Sequence, residues 1–537
     1  MAANAAPPCE TVEYVQRYEQ CCGLYNNVVD TLYGESSVPG RSLKERHAVN
    51  CLRECRDLLS VALPSSVCCN FCGKWRAMLS RILVLHGRII EWENSSGALE
   101  LYNDGLTASS GEHVDALLHT GRLTWKLAST EEDLKTSEQL LRKARAIASH
   151  NLPEEEEAFQ EAGKLLGRLL CQNPKKSVEA YRLLEELGFT FGFSNKLTTC
   201  DLAGAGRSAT QKECQGRVYV TDNVYNDRMM AHMLDLFAPN SEFWSEHNYG
   251  SPGRGFFSYQ NILDNQKQSD RPRSTFEDIL LHIRSRAAVG FPAVANAKYA
   301  EWWAHTRPHS NGHQLHFDYV VGEDGVSPRH PIMSSISFID ASCGGPTLVL
   351  DQTMTNEITS EGFLLVPKAN RLACFNGKLL HCVLPGAGVV PGGDNRKRRL
   401  TFMVAFWNKD PRAPPMPNAN SKHTGLQRLK WPVKFGETVA SKLPNSCQKR
   451  CNVTPSETNV RYIDCVFQSV KHPVGSKKRK RMTIKPGIDL LGDDVFSFFG
   501  SLDSGLVVAR SGVCSLNCGG KCPACLKDAN GDLSMIN

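Results

Sequence analysis

Residues 298–407 most strongly limit what this chain can fold into. Apolar and polar residues alternate there in short segments, with Gly, Pro, Asn or Asp between them, which is the pattern of successive β-strands. The segments are AEWWAHTR, HQLHFDYVV, PIMSSISFID, PTLVLD, GFLLVP, RLACFNG, LLHCVLP and RRLTFMVAFW. Eight short strands in close succession predict a β-barrel or a jelly roll.

Residues 43–195 show helical periodicity instead, with apolar side chains at i, i+3 and i+4. Segments that begin at Ala98, Ser137 and Ser177 resemble one another at intervals of 39 and 40 residues. Second helices are predicted from Val114 and Glu156, between the repeated segments. This spacing favours an α-solenoid similar to a degenerate tetratricopeptide array, and an irregular helical bundle is the alternative.

Composition divides the rest of a chain whose 537 residues exceed one ordinary domain. We predict a multidomain α + β protein in which the helical repeats precede the jelly-roll barrel. RVYVTDNVY is predicted as a strand, and DRMMAHMLDLFAP and TFEDILLHIRSRAAVGF as helices. The predicted parts are an N-terminal segment (1–42), the helical region (43–195), a Gly-, Ser- and Thr-rich linker (196–216), the barrel domain (217–410), a C-terminal extension (411–472) and a basic, Cys-rich, largely disordered tail (473–537).

The start of the chain and its apolar segments indicate a location inside the cell. MAANAAPPCE lacks the charged start and apolar run of a secretory signal, and no segment approaches the roughly 20 apolar residues that span a bilayer. We therefore expect an intracellular protein of the nucleus or cytoplasm, neither secreted nor membrane-bound, whose 21 cysteines are mostly reduced. The net charge of +6 is too small to predict nucleic-acid binding by itself.

His316-Phe-Asp318, in the second predicted strand, is the first candidate for metal binding. Residues i and i+2 of a strand point to the same face, so an imidazole and a carboxylate can share one ion. His113-Val-Asp115 has the same spacing but lies in a predicted helix, where its side chains diverge by about 200°. His381, in the seventh strand, supplies a second imidazole. Two histidines and one carboxylate form the facial triad of non-haem iron(II) sites, which leaves three coordination positions open.

From this order of motifs, residues 217–407 resemble the 2-oxoglutarate- and iron(II)-dependent dioxygenases, nearest to their prolyl 4-hydroxylase-like branch. The resemblance implies that His316, Asp318 and His381 bind Fe(II) and that 2-oxoglutarate is a co-substrate, with ascorbate as a further cofactor. It also implies a basic residue on the last strand that binds the far carboxylate of 2-oxoglutarate. A guanidinium suits this role because it can donate two charge-assisted hydrogen bonds.

RKRRLTFMVAFW offers several candidates for that basic residue. We favour Arg399, with Thr401 as a second contact, because Arg399-Leu-Thr401 resembles an R-x-S pairing in the family. Arg399 follows His381 by 18 residues, which is farther than is usual in prolyl hydroxylases. Arg396 and Arg398 therefore stay open as rivals, and a solvated basic edge is the alternative to any ligand role.

Other side chains near the triad have less specific roles. Tyr319, Phe338 and Trp407 are candidates for the pocket lining, although aromatic residues in a barrel are more often core. The remaining histidines of this region are interpreted as loop residues or supports of the ligands, because a facial triad needs only two. They are His305, His309, His313 and His330.

The resemblance implies an enzyme that couples oxidative decarboxylation of 2-oxoglutarate to hydroxylation of a substrate C–H bond. A protein side chain such as proline is the expected substrate, and the helical repeats are a candidate surface for a polypeptide or a protein partner. One alternative is a non-catalytic scaffold with a degenerate barrel. A nucleic-acid demethylase is another, disfavoured because no basic and aromatic pattern flanks the HxD strand.

Two signals lie in the predicted tail. Residues 477–481 are consecutively basic in a Pro- and Gly-containing context, which indicates either a nuclear localisation signal or a solvated patch. The tail also contains four cysteines at C-x3-C-x3-C-x2-C spacing, which could bind one zinc ion or stay as unligated thiols. They are Cys514, Cys518, Cys522 and Cys525.

Overall fold

The computed structural model describes most of the chain and divides it into two compact units, residues 1–169 and 170–537. The described residues are 12–33, 41–60, 70–91, 94–148, 153–187, 189–199, 206–241, 243–244, 257–263, 275–323, 327–354, 359, 361–413, 460–469 and 508–510. The first unit is helical, and the second contains antiparallel sheets with a few helices.

The first unit is built from helices of about three to six turns joined by short connections. They are α1 (Val12–Tyr33), α2 (Arg41–Ser60), α3 (Asn70–Ile90), α4 (Ser95–Ala108), α5 (Val114–Leu127), α6 (Glu131–Ile147) and α7 (Pro153–Cys171), the last crossing the boundary between the units. Local chemistry fixes some of the ends. Thr130 and Asp133 form a reciprocal capping box at the start of α6, which satisfies backbone N–H groups that have no partner within the helix.

Two apolar clusters hold this unit together. Leu52, Trp75 and Ile82 belong to the cluster between α1, α2 and α3, and Ala98, Ala116 and Leu123 belong to the one between α3, α4 and α5. Helix α1 lies in the N-terminal segment to which the sequence reading assigned no helix. Its inward residues Cys21 and Val28, two turns apart, are the helical signal that could have revealed it.

The second unit begins with short elements and continues into two large sheets. Its helices are α8 (Ser177–Glu186), α9 (Asn195–Thr198), α10 (Gln211–Cys214), α11 (Asp227–Leu236) and α12 (Thr275–Gly290). Its strands are β1 (Phe189–Phe193), β2 (Arg207–Ser208), β3 (Val218–Asp222), β4 (Tyr259–Ile262), β5 (Tyr299–Arg307), β6 (His313–His316), β7 (Val320–Val321), β8 (Pro328–Arg329), β9 (Met333–Asp340), β10 (Thr347–Leu350), β11 (Gly362–Leu365), β12 (Arg371–Asn376), β13 (His381–Val383), β14 (Arg399–Trp407), β15 (Val460–Ile463), β16 (Phe467–Ser469) and β17 (Val508–Arg510).

Two six-stranded antiparallel sheets form a sandwich. One sheet, called the long sheet here, has the order β3-β12-β9-β14-β5-β4, and the other, called the short sheet, has the order β2-β15-β11-β10-β13-β6. A buried cluster that includes Phe338 and Met403 of the long sheet and Val349 and Phe363 of the short sheet joins them. The interior between the sheets is therefore lined from both sides, as in aligned sandwiches.

The other face of the long sheet packs against helices. Phe402 and Phe406 alternate along β14 with Met403 and Ala405, and they belong to a separate cluster with α11 and α12. This cluster is rich in aromatic contacts, such as Phe276 with Trp302 at 4.5 Å between ring centroids. Because strand side chains alternate between faces, the odd-numbered residues of β14 point into the sandwich.

The predicted strand-rich region is confirmed: each of the eight segments contains a strand, and RVYVTDNVY and the two predicted helices are also present. The predicted boundaries differ from the structure in two places. The second unit begins at Leu170, before residue 196, and the predicted linker contains α10 and the strand β2, which pairs with β15. Glycine, serine and threonine mark short elements there because they also cap helices, as Thr210 does for α10.

Helices are confirmed at all five positions of the predicted repeat, from Ala98 to Ser177, and α8 belongs to the second unit. In the tail, residues 508–510 form β17, which pairs with β1. Residues 477–481 and the cysteines from Cys514 to Cys525 lie outside the described residues. No helix in the described ranges is both long enough and apolar enough to cross a bilayer.

Candidate metal centre

His316, Asp318 and His381 come together at one point between the sheets. His316 ends β6, His381 begins β13, and the two are direct partners in the antiparallel ladder of the short sheet. Their ring centroids are 4.2 Å apart. The predicted strand around Asp318 breaks after His316, so the carboxylate follows the strand instead of lying on it. The two side chains nevertheless meet.

The three side chains direct ligand atoms toward one another. The Asp318 Oδ1 atom lies 3.6 Å from His316 Nε2 and 3.7 Å from His381 Nε2. One ligand atom from each residue falls within 4.8 Å of the others, and in the described part of the chain this is the group of His, Cys, Asp or Glu with metal-binding geometry. Two imidazole nitrogens and a carboxylate oxygen fit a divalent first-row metal such as iron(II).

Neighbouring groups fix the orientation of these ligands. Ser334 Oγ donates to Asp318 Oδ2 at 2.6 Å, which leaves Oδ1 directed at the histidines. His381 Nδ1 lies 3.0 Å from the Leu379 carbonyl, so an N–H there places the lone pair on Nε2. Such partners of metal ligands set the tautomer and the ring orientation before any ion arrives.

The histidines near the triad have three different functions. Burial, with Arg307 nearby, holds the pKa of both His305 and His313 well below the ordinary value. The His313 ring is tilted against that of His305 at 5.6 Å between centroids and meets the edge or face of the His316 ring at 4.8 Å. His309 joins two loops, because its Nδ1 accepts from Gly344 N at 2.9 Å and its Nε2 lies 3.1 Å from the Ala387 carbonyl. His330 contacts the Asp318 carbonyl through Nδ1 at 2.8 Å.

His113, of the second His-x-Asp pair, has a packing contact instead. It immediately precedes α5, and its Nδ1 lies 2.9 Å from Ser80 Oγ. Neither His113 nor Asp115 belongs to the candidate metal group.

Arg399 lies in the interior, and 2% of its surface is exposed. Its Nη2 donates to Thr347 Oγ1 of the facing sheet at 3.0 Å, and its guanidinium carbon lies 5.0 Å from the centre of the Phe338 ring. Gly344, with φ of +87°, makes room for it, because a Cβ there would approach Arg399 Cδ to 2.7 Å. Thr401 points to the same face, and its buried Oγ1 has no hydrogen-bond partner among the described residues.

The rival arginines occupy different environments. Arg396 is exposed and pairs with Asp394 at 2.9 Å, and Arg398 is partly exposed and precedes the first residue of β14. Leu400 belongs to the cluster on the helical side of the sheet. The strand register therefore places Arg399 in the interior, as the sequence predicted.

Arg307 was missed in the sequence although it lies opposite Arg399. The two residues are ladder partners, so their side chains share the interior face, and 7% of Arg307 is exposed. Arg307 Nη1 donates to the Gly312 carbonyl at 3.0 Å, while its buried Nε has no partner among the described residues. Two guanidiniums on one buried face have the donors to make several charge-assisted hydrogen bonds to an anion. The alternation of inward and outward side chains along β5 was the sequence signal that could have revealed Arg307.

Glu301, also missed, is a carboxylate on the same inward face of β5. Burial raises its pKa to about 7, the charge of Asp318 adds to the rise, and hydrogen bonds from Ser258 and Trp407 oppose it. An open cavity of about 380 Å³ lies next to this end of β5, and charged residues such as Lys298, Glu323 and Arg329 line it.

The expected pocket aromatics have different environments. Phe338 and Trp407 are buried in the interior cluster, where Phe338 supports Arg399, whereas Tyr319 is 51% exposed.

No protein-family model and no curated protein matches the chain. The case for a function therefore depends on the chemistry of the site itself.

Proposed function

We propose that this protein is an iron(II)- and 2-oxoglutarate-dependent oxygenase that hydroxylates a C–H bond of a polypeptide substrate. The observation that carries the proposal is the convergence of His316, Asp318 and His381 in an interior that also holds Arg399. An isolated triad would fit several divalent metals, and an isolated buried arginine would fit core packing. Together they match a redox metal with an anionic co-substrate.

Different residues of the chain would bind the metal and the co-substrate. His316, Asp318 and His381 would bind Fe(II) on one face, and Ser334 would keep the carboxylate in position. When bound, the iron would supply the oxidising chemistry that couples decarboxylation of 2-oxoglutarate to substrate hydroxylation. Ascorbate, as a reductant of the metal, fits the same proposal.

Arg399 would bind the far carboxylate of 2-oxoglutarate. Thr347 keeps the guanidinium in place from the opposite sheet. The Thr401 hydroxyl has no hydrogen-bond partner among the described residues, and it can donate to the same carboxylate. A bound carboxylate would stabilise the Arg399 guanidinium in the interior, because a charge that is removed from water is costly unless it is paired. Such an arrangement would select a dicarboxylate over a monocarboxylate.

The sandwich supports a jelly-roll reading of the second unit, and the helical unit is our candidate for holding a polypeptide. A non-catalytic scaffold is the second function. The preoriented ligand set argues against it, because a degenerate barrel has no reason to keep Ser334 and Leu379 in contact with a metal triad.

Succinate release from 2-oxoglutarate by the purified full-length chain with Fe(II) tests the proposal. We expect turnover that needs both Fe(II) and 2-oxoglutarate and that rises when substrate peptides are added. Mass spectrometry of the peptides would then locate an added oxygen. Tight binding of Fe(II) without turnover of 2-oxoglutarate, over a broad peptide and nucleic-acid screen, would favour the scaffold.

A further inference from the structure

Glu301 lies among apolar side chains at one end of the inward face of the long sheet. The residues that share its face of the long sheet include Trp303 on the same strand and Met403 and Ala405 on β14, and all three are buried in the cluster between the sheets. Glu301 lies directly opposite Ala405 in the β5–β14 ladder. The Glu301 carboxylate accepts hydrogen bonds from Ser258 and Trp407, and its two oxygens have the capacity to accept further ones beside the small Ala405 side chain.

A second acceptor lies beside it. Gln260 of β4 is the ladder partner of Glu301 on its other side, and directly opposite residues of an antiparallel pair share a face. The Gln260 Oε1 atom is buried and has no hydrogen-bond partner among the described residues. Because a buried acceptor without a donor is destabilising, a group that supplies a donor would be stabilised here.

Both acceptors lie at the metal end of the interior. The charge of Glu301 interacts with that of Asp318, and Glu301 is two residues from Tyr299, which borders the open cavity. Ala405 pairs with Glu301 on one side and with Ser334, which donates to Asp318, on the other, so the strand register also brings Glu301 close to the triad. Burial disfavours a lone negative charge, so the carboxylate would interact most strongly with a positive group.

We infer, on the basis of the proposed oxygenase function, that the substrate residue oxidised at this centre is a cationic side chain of a polypeptide, with lysine or arginine as the chemical class. Its ammonium or guanidinium donates to Glu301, and a second N–H donates to Gln260. The aliphatic part of such a side chain packs on Trp303 and Met403 and presents its C–H bonds to the metal.

This inference replaces the proline that the family resemblance suggested. A proline residue has no N–H to donate, and its ring is apolar. Placed against Glu301 and Gln260, it would donate a hydrogen bond to neither. A lysine or arginine side chain satisfies both and also buries its methylene groups on the apolar wall.

Peptide binding to the full-length protein tests the inference without relying on turnover. The protein is loaded with manganese(II) and N-oxalylglycine, an unreactive analogue of 2-oxoglutarate, and mixed with blocked peptides that differ only at the central residue. Lysine is compared with norleucine, arginine with citrulline, and both with proline. We expect the cationic peptides to bind about 10-fold to 100-fold more tightly than their neutral partners, as for a hydrogen bond to a charged group.

Glu301→Gln should remove that preference, and Gln260→Leu should weaken the cationic peptides to a smaller extent. Glu323→Gln is the matched control, because Glu323 is an exposed carboxylate that lines the nearby open cavity. It should keep the preference. Thermal unfolding of each variant shows whether the fold is retained.

Equal binding of lysine and norleucine peptides to the wild type, tighter binding of the proline peptide, or an unchanged preference in Glu301→Gln would overturn the inference. An equal loss in Glu323→Gln would also overturn it, since selection would then arise at the rim. These results leave the proposed oxygenase in place. That function fails separately, if the loaded protein does not bind N-oxalylglycine or if 2-oxoglutarate is not consumed.

Discussion

The helical unit and the sandwich both bury charged side chains, but they compensate the charges in different ways. In the helical unit, Glu91 accepts from Arg122 Nη1 at 2.9 Å and from Tyr102 Oη at 3.0 Å, and it pairs with Lys126 at 3.3 Å. Burial alone would raise the pKa of Glu91, yet Arg122 and Lys126 hold it below its ordinary value. The opposite charges of this network therefore compensate one another.

The sandwich instead places like charges next to one another. Arg307 lies opposite Arg399, and burial raises the pKa of Glu301, to which the like charge of Asp318 adds. A fold that gains only a few kcal/mol in total does not keep such arrangements for stability. Buried groups whose pKa values are displaced by like charges are typical of sites that bind or transform ligands. The helical network therefore pairs opposite charges, whereas the sandwich brings like charges together on one face.

Removal of a metal ligand should produce the largest effect. Asp318→Ala or His316→Ala should abolish Fe(II) binding and turnover while the fold stays near intact, because these side chains meet at the candidate metal site and are partly exposed instead of filling the core. Isothermal titration with Fe(II) under anaerobic conditions measures the loss, and circular dichroism checks the fold.

His113→Ala is the control for this experiment, since His113 has the same His-x-Asp spacing but contacts Ser80. It should leave Fe(II) affinity unchanged. Equal Fe(II) affinity in all three variants would show that the triad is not the metal site.

Replacement of Arg399 should have the next largest effect. Loss of one partner from a buried charge-assisted pair typically costs about 2–5 kcal/mol, because the remaining charge is left unpaired. For Arg399→Ala this corresponds to a rise in the KM for 2-oxoglutarate of roughly 30-fold to several thousand-fold. Arg399→Lys should recover part of the loss, because the charge survives and the planar fork does not.

Arg396→Ala and Arg398→Ala should keep a KM for 2-oxoglutarate near that of the wild type, since Arg396 is exposed and Arg398 precedes β14. A large effect of Arg398→Ala alone would mean that the register of β14 in solution differs from the one described. No effect from any of the three would favour the scaffold.

The strands and the side of β14 on which Arg399 lies could be predicted from the sequence because they depend on local periodicity. The triad was predicted from the order of its motifs, since Asp318 lies after β6 and His381 lies on another strand. Alternation in RRLTFMVAFW is enough to decide that Arg399 and Leu400 face opposite sides, and the structure confirms it. The helical segments could also be predicted from the spacing of their apolar residues.

Arg307, Glu301 and Gln260 could not be found in this way, because their importance comes from pairing between strands that are distant in sequence. Arg307 precedes its partner Arg399 by more than 90 residues, and no local pattern states that β5 lies between β4 and β14. The start of the second unit was also hidden, since α7 continues the helical pattern across the boundary.

Replacement of Glu91, in the charge network of the helical unit, should have a smaller effect and should change stability alone. Glu91→Gln should lower the free energy of unfolding by about 1–3 kcal/mol at neutral pH, because Arg122 and Lys126 keep their charges and lose the negative charge of Glu91. Urea denaturation followed by far-UV circular dichroism measures it, and 2-oxoglutarate binding should not change. Glu132→Gln, at an exposed pair with Lys135, is the matched control and should have little effect.

The sign of the pH dependence follows from the lowered pKa of Glu91. A carboxyl whose folded-state pKa is depressed contributes stability that is present above its unfolded pKa of about 4.3 and is lost as the pH falls through its folded pKa. The difference between wild type and Glu91→Gln should therefore shrink below about pH 4. A constant difference down to strongly acidic pH would mean that Glu91 acts through packing and not through its charge.

Arg307→Gln should have the smallest effect and the most informative pattern of signs. Like charges directly opposite each other in a sheet are destabilising by about 0.2–1 kcal/mol, so removal of Arg307 should slightly raise the thermal stability of the ligand-free protein. The same change removes one of two guanidiniums that face a bound carboxylate, so the Kd for 2-oxoglutarate should rise about 10-fold, as for loss of a hydrogen bond to a charged group. Arg396→Gln, at an exposed arginine paired with Asp394, should change neither quantity. If Arg307→Gln instead lowers stability and leaves the Kd unchanged, its bond to Gly312 is its main contribution, and the sandwich resembles the helical unit at this position after all.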